Sequence, residues 1–153
     1  MNWRRLMHDE EEFVVFISHG RSSLWKDLER YINKDLNFAT LVLKEEVNRG
    51  RTIIEKLEDE TEDCHFAIII MTADDEQKDG GLRARQNVIH EIGFCQGRFG
   101  RNNVLVLKQN GVEEFTNISG IVYESFSEDN IAITFSRVAK ELEDAFEEFN
   151  EEE

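Results

Sequence analysis

Residues 66–72 read FAIIIMT, seven positions without a charged side chain. The run is apolar at odd and even positions alike, so it cannot be a half-exposed strand, which would alternate. It reads as a strand covered on both faces, the kind found in parallel sheets flanked by helices. FVVFIS (13–18) has the same character, bounded by acidic residues before it and His19-Gly20 after it. Working outward, FATLVL (38–43), NVLVL (103–107) and IVYESF (121–126) supply three more short strands.

Between these runs the period changes. Ser22 or Ser23 can cap a helix in which Leu24, Leu28, Tyr31 and Ile32 recur at helical spacing. After an Asn48-Arg49-Gly50 turn, TIIEKLEDE places Ile53, Ile54 and Leu57 on one face. ADDEQKDGGLRAR (73–85) reads as a polar loop. Gln86 to Phe99 carries Val88, Ile92, Cys95 and Phe99 as a buried helical stripe, and the chain from Ile131 to about Phe149 is amphipathic again. Five covered strands alternating with helices predict an α/β fold, a three-layer sandwich around a five-stranded parallel sheet. The flavodoxin-like order 2-1-3-4-5 suits the length.

The chain has 153 residues, 40% hydrophobic and 33% charged, which suits one domain with a filled core. We divide it into an N-terminal extension (1–12), the domain itself (13–149) and an acidic tail (150–153). No apolar run approaches the roughly 20 residues of a membrane span. MNWRRLMHDEEE lacks the apolar segment of a secretory signal, so a cytoplasmic location is expected. Cys64 and Cys95 read as free thiols, and without a CxxC or Cys/His cluster no metal is expected. The net charge is -15, and residues 141–153 hold eight acids and no base. That balance argues against nucleic acid as a partner, because phosphate neutralisation needs a basic face.

In such a sheet, ligands bind beyond the carboxyl ends of the strands, beside the reversal of strand order. Three loops are expected there: Ser18–Ser23, Lys44–Thr52 and Thr72–Arg85. The first, SHGRSS, offers His19, Gly20 and Arg21; it suits either a phosphate or a tight strand-to-helix turn. The second sets Gly50 between Arg49 and Arg51, an anion-binding arrangement or a plain helix start. Residues 80–101 contain Arg83, Arg85, Arg98 and Arg101 but a single acid, Glu91. Asn87 lies one helical turn before it. Ile89 and Ile92 flank Glu91, so desolvation and catalysis fit it, as does a structural ion pair. His90 should point elsewhere, and Cys95 reads as a small core residue rather than a nucleophile.

Together VVFISHGR (14–21), NRGRTIIEKLE (48–58), FAIIIMTADD (66–75), RARQNVIHEIGF (83–94) and NISGIVY (117–123) resemble a Toll/interleukin-1 receptor (TIR) domain. More narrowly, they resemble the bacterial TIR-like effector domains of cyclic-nucleotide-triggered antiphage systems. The resemblance implies NAD+ glycohydrolase activity with Glu91 as the catalytic carboxylate. It implies substrate contacts from Ser18, His19, Gly20, Arg21, Gly50, Arg51, Thr52 and Asn87. NAD+ would be substrate, with no separate cofactor. Partners would be other TIR copies and an upstream cyclic-nucleotide sensor. Some enzymatic members carry aromatic residues where this chain has Thr52 and Asn87, so stacking on nicotinamide would fall to Phe16 or to a neighbouring subunit. A non-enzymatic interaction module and a nucleotide-binding sensor are the alternatives.

Overall fold

The computed structural model describes residues 11–20, 22–43, 53–73, 75–76, 82–83, 86–112 and 121–151. The main strands are β1 (Val14–Ser18), β2 (Ala39–Val42), β3 (Phe66–Met71), β6 (Val104–Gln109) and β7 (Val122–Phe126). They form one sheet in the order β2-β1-β3-β6-β7, and every neighbouring pair is parallel. This is the order expected from the sequence. The segment read as an unbroken polar loop contains a small antiparallel pair instead, β4 (Asp75–Glu76) with β5 (Leu82–Arg83).

Side-chain alternation divides the core in two. Val15 and Ile17 of β1, with Phe66, Ile68 and Ile70 of β3, point to one face. There they meet Leu28 of helix α1 (Trp25–Arg30) and Val138, Leu142 and Phe146 of helix α4 (Phe135–Glu151). Phe16 of β1 and Ala67, Ile69 and Met71 of β3 point to the other face. That face is covered by Leu57 of helix α2 (Ile53–Glu60) and by Val88, Ile92 and Cys95 of helix α3 (Gln86–Phe99). All six residues of β3 are buried, as its uninterrupted apolar run requires. Each fully buried Ile or Phe contributes about 1.5–3 kcal/mol through removal from water.

Two local expectations are corrected. The buried sector of α2 centres on Lys56, Leu57 and the following Thr61, while Ile54 lies at its rim and is 40% exposed. At 100° per residue Ile54 and Lys56 lie nearly opposite, so a helix that buries Lys56 turns Ile54 toward the edge of its covered face. The serines before α1 do not cap it. Ser22 Oγ accepts the Leu24 N–H at 3.2 Å, Leu24 occupies the N-cap position without a side-chain bond, and the helix begins at Trp25.

At the amino ends of the strands an aromatic cluster clamps the layers together. Phe13 meets Phe38, Phe146 and Phe149 at ring separations of 5.4, 5.6 and 5.4 Å. His65 joins it, 4.6 Å from Phe149. The Val14 N–H donates to His65 Nδ1 at 3.1 Å, so the imidazole proton is on Nε2, which lies 2.5 Å from Glu11 Oε1.

Helix α3 keeps two glycines on its exposed side. Nothing lies within 4 Å of the place a Cβ would take at Gly93 or Gly97. Glycine inside a helix costs about 0.5–1 kcal/mol relative to alanine. Gly93→Ala and Gly97→Ala should therefore each raise the unfolding free energy by that amount, read as a higher urea midpoint at unchanged slope.

Candidate active site

The strand order reverses between β1 and β3, because the chain passes from β1 to β2 on one side and then returns to β3 on the other. The crevice beyond their carboxyl ends is where a parallel sheet of this type accepts a ligand. Ser18 is the last residue of β1 and pairs with Ile69 of β3. It shares the parity of Phe16, so its side chain faces α3. On α3, positions 88, 91, 92 and 95 form one helical stripe. Three of them, Val88, Ile92 and Cys95, pack in the apolar layer against the sheet. The fourth is Glu91, only 5% exposed.

Ser18 and Glu91, both buried and polar, meet. The Ser18 hydroxyl donates to Glu91 Oε2 in a buried hydrogen bond across 73 positions of sequence. A carboxylate taken out of water is costly unless hydrogen bonds replace its hydration. The Ser18 donor is part of that replacement.

Around this pair the carboxyl ends of the strands carry further polar contacts. Gly20 is buried and His19 half-buried. The His19 ring donates through Nδ1 to the Gly20 carbonyl at 2.6 Å and stacks on Trp25 at 4.9 Å between centroids. Thr72 is buried at the carboxyl end of β3. Beyond it, the Ala73 N–H donates to Gln109 Oε1 at 2.9 Å, and Gln109 Nε2 donates to the Glu128 carbonyl at 2.8 Å. The amide of Gln109 thus bridges the chain after β3 to the turn after β7. That rim had no signature in the sequence.

Of the residues expected from the sequence, Ser18 and Glu91 are brought together, and His19 and Gly20 follow directly on Ser18 at the end of β1. Asn87 lies in the first turn of α3, one turn before Glu91; its side chain, and Arg21, Gly50, Arg51 and Thr52, lie outside the described residues. Phe16 cannot stack on a ligand: it has no exposed surface and belongs to the core beneath α3. Its parity within β1 points it into the same layer as Ser18 but one pair deeper. His90 is exposed, turned away from the stripe that carries Glu91.

Cys95, one turn beyond Glu91, is fully buried. Burial chiefly, with the nearby charge of Glu91 and then Cys64, pushes its thiol up to about 12. The Cys64 thiol is pushed up to about 12 as well, by burial first and then by Asp63. Neither supplies a thiolate nucleophile near neutral pH. Among the described residues no group of three or more His, Cys, Asp or Glu side chains could hold a metal ion. Among them, too, no helix is long and apolar enough to cross a membrane.

The family model described as the TIR domain of the CAP12/Pycsar effector protein matches residues 14–128. The chain belongs to this TIR family. It is the family to which the motifs pointed, that of the TIR-like effector domains of cyclic-nucleotide antiphage systems. Over 134 residues the TIR domain is 36% identical to the protein YuaY of Escherichia coli (strain K12), covering 79% of this chain and 44% of that protein. It is 32% identical to protein tirC of Dictyostelium discoideum, over 79% of this chain and 68% of that one. It is 24% identical to the Pycsar effector protein PaPycTIR of Pseudomonas aeruginosa, over 91% and 48%. The chain therefore spans less than half the length of two of these three relatives. Among solved structures, a diflavin flavoprotein A3 from Nostoc sp. aligns with a TM-score of 0.50 at 11% identity, covering 90% of this chain and 94% of that one. At that identity the likeness concerns the fold alone.

The thiols give a measurable consequence. In the unfolded chain they ionise near 9, in the folded protein near 12. Between those values the unfolded state has lost protons that the folded state keeps, so stability falls as pH rises past about 9. Urea titrations at pH 8, 9 and 10 should show a falling midpoint. Iodoacetamide at pH 8 should label both cysteines far more slowly in the native protein than in the urea-unfolded chain.

Proposed function

We propose that this TIR domain is an NAD+ glycohydrolase of an antiphage effector, breaking the bond between nicotinamide and the adjacent ribose C1. The observation that carries the reading is the buried Glu91 carboxylate, bonded to Ser18 at the reversal of strand order.

The chemistry suits a single carboxylate. Nicotinamide is bound to ribose as a pyridinium, so it leaves as a neutral molecule with the electron pair of the C1–N bond. It needs no general acid. The ribose left behind develops oxocarbenium character, as in other glycosidic cleavages. A fixed anion beside C1 and the ribose hydroxyls stabilises that charge, and far more strongly in a site shielded from water. Water then bonds to C1 and releases a proton, giving ADP-ribose; an internal nucleophile in place of water gives a cyclised product. Arg21 and Arg51 are the candidates for holding the pyrophosphate and so orienting the scissile bond.

Replacement of Glu91 by glutamine keeps the size and removes the charge. Nicotinamide release by concentrated protein should fall by at least about 100-fold in Glu91→Gln, with an unchanged circular dichroism spectrum. Wild-type protein that binds NAD+ without releasing nicotinamide would indicate a nucleotide sensor. Protein that does neither would be an interaction module.

Activity in this reading depends on assembly, which high protein concentration promotes and which an upstream cyclic-nucleotide sensor, in a separate chain or in the same one, would trigger. With Phe16 sealed in the core, this reading assigns the aromatic surface for nicotinamide to a neighbouring TIR copy. The net charge of -15 opposes close approach of copies, and salt screens it. Nicotinamide release per subunit should rise with protein concentration across a dilution series. A flat profile reaching into the range where light scattering detects only monomer would remove the assembly requirement and leave the Glu91 chemistry in place.

A further inference from the structure

We propose that Ser18 is the positioning residue for Glu91 and not a contact for the substrate: the β1 backbone fixes its hydroxyl, and the hydroxyl fixes the carboxylate. The inference rests on Glu91 being the catalytic group.

Ser18 has no exposed surface. A hydroxyl sealed from solvent serves an acceptor within the protein, and here that acceptor is Glu91 Oε2. Its single O–H is committed to Glu91, so a substrate acceptor could reach it only by displacing this bond. The position is also a rigid one. β1 is flanked on both sides, by β2 and β3, and Ser18 is held in register against Ile69. Glutamate has three rotatable side-chain bonds and would otherwise sample several rotamers. A donor on one carboxylate oxygen, anchored to a central strand, narrows that sampling to the orientation the reaction needs.

The surroundings argue that the hydroxyl is not there for packing. The layer beneath α3 is filled by Phe16, Ala67, Ile69, Met71 and Val106. Alanine at position 18 would match that layer without bringing a polar group into it. Serine earns a place there because α3 delivers a carboxylate to the same point. Replacing the buried pair by apolar residues would cost little or even stabilise the fold, whereas removing Ser18 takes one donor from a buried carboxylate. A pair with that energetic profile adds little net stability; its effect falls on the orientation of the carboxylate.

Three variants separate positioning from packing, with nicotinamide release measured at high protein concentration well below the melting temperature. Ser18→Ala and Ser18→Cys keep the volume within one heavy atom and lose the strong donor. Ser18→Thr keeps the hydroxyl and adds a methyl group to a full core. The expected order follows hydrogen bonding, not volume. In Ser18→Ala and Ser18→Cys kcat falls about 10- to 100-fold, with KM within about twofold because the substrate does not touch the residue. Ser18→Thr retains more kcat than either, in spite of its worse fit. A KM increase at constant kcat would make Ser18 a substrate contact and overturn the proposal. So would wild-type kcat in Ser18→Ala, or losses that track the added volume. If Ser18→Thr does not fold, the comparison of Ser18→Ala with wild type decides by its split between kcat and KM. Glu91→Gln, assayed in parallel, keeps the two readings apart. If Glu91→Gln is inactive and Ser18→Ala is not, only the role of Ser18 falls. If wild-type protein releases no nicotinamide, the Glu91 reading falls and this inference with it.

Discussion

A strand covered on both faces has no solvent side on which to place a polar residue. In β1 and β3 this constraint governs nearly every position, because α1 and α4 lie over one face of the sheet and α2 and α3 over the other. Any hydroxyl or carboxylate in these layers must find a partner inside the protein or destabilise the fold. Ser18 and Glu91 meet that demand together, one from the end of the central strand and one from the helix above it. Their bond ties α3 to β1 at the end of the sheet where the order reverses. It is also one of the interactions that keep a carboxylate in this largely apolar layer.

The two ends of the sheet are built for different tasks. At the amino ends, Phe13, Phe38, Phe146 and Phe149 interlock, and His65 links the start of β1 to Glu11. These are space-filling contacts with satisfied polar atoms, and they hold α4 onto the sheet. At the carboxyl ends the contacts are polar, and most join segments distant in sequence: His19 with Gly20, Gln109 with Ala73 and Glu128, Ser18 with Glu91. A TIR domain whose site residues emerge from strand ends can vary its loops without rebuilding its core.

The same layering explains the inert cysteines. Cys95 shares the buried stripe of α3 with Glu91, and its thiol is raised by burial and by that carboxylate. A low dielectric that makes one anion effective makes a second anion nearby unfavourable. Where Glu91 is to carry the charge, Cys95 has to remain a neutral filler.

The sequence alone determined the architecture. FAIIIMT and FVVFIS are apolar on both parities, which only a doubly covered strand tolerates, and the helical stripes between the strands demand layers on each side. The helix from Gln86 to Phe99 could be bounded from its pattern, and Glu91 stood out within it as the single acid among arginines. Local geometry was less legible. The rotation of α2 buries Lys56 and leaves Ile54 at the edge, and the turn before α1 depends on which backbone N–H Ser22 reaches. Periodicity carries neither piece of information. Only the tertiary structure decided that Ser18 and Glu91 face one another, that Phe16 is sealed beneath them, and that Gln109 closes the rim. Each depends on the register of β1 against β3 and on how deeply α3 settles onto the sheet. Those quantities are set by packing between segments dozens of residues apart, and no local pattern encodes them.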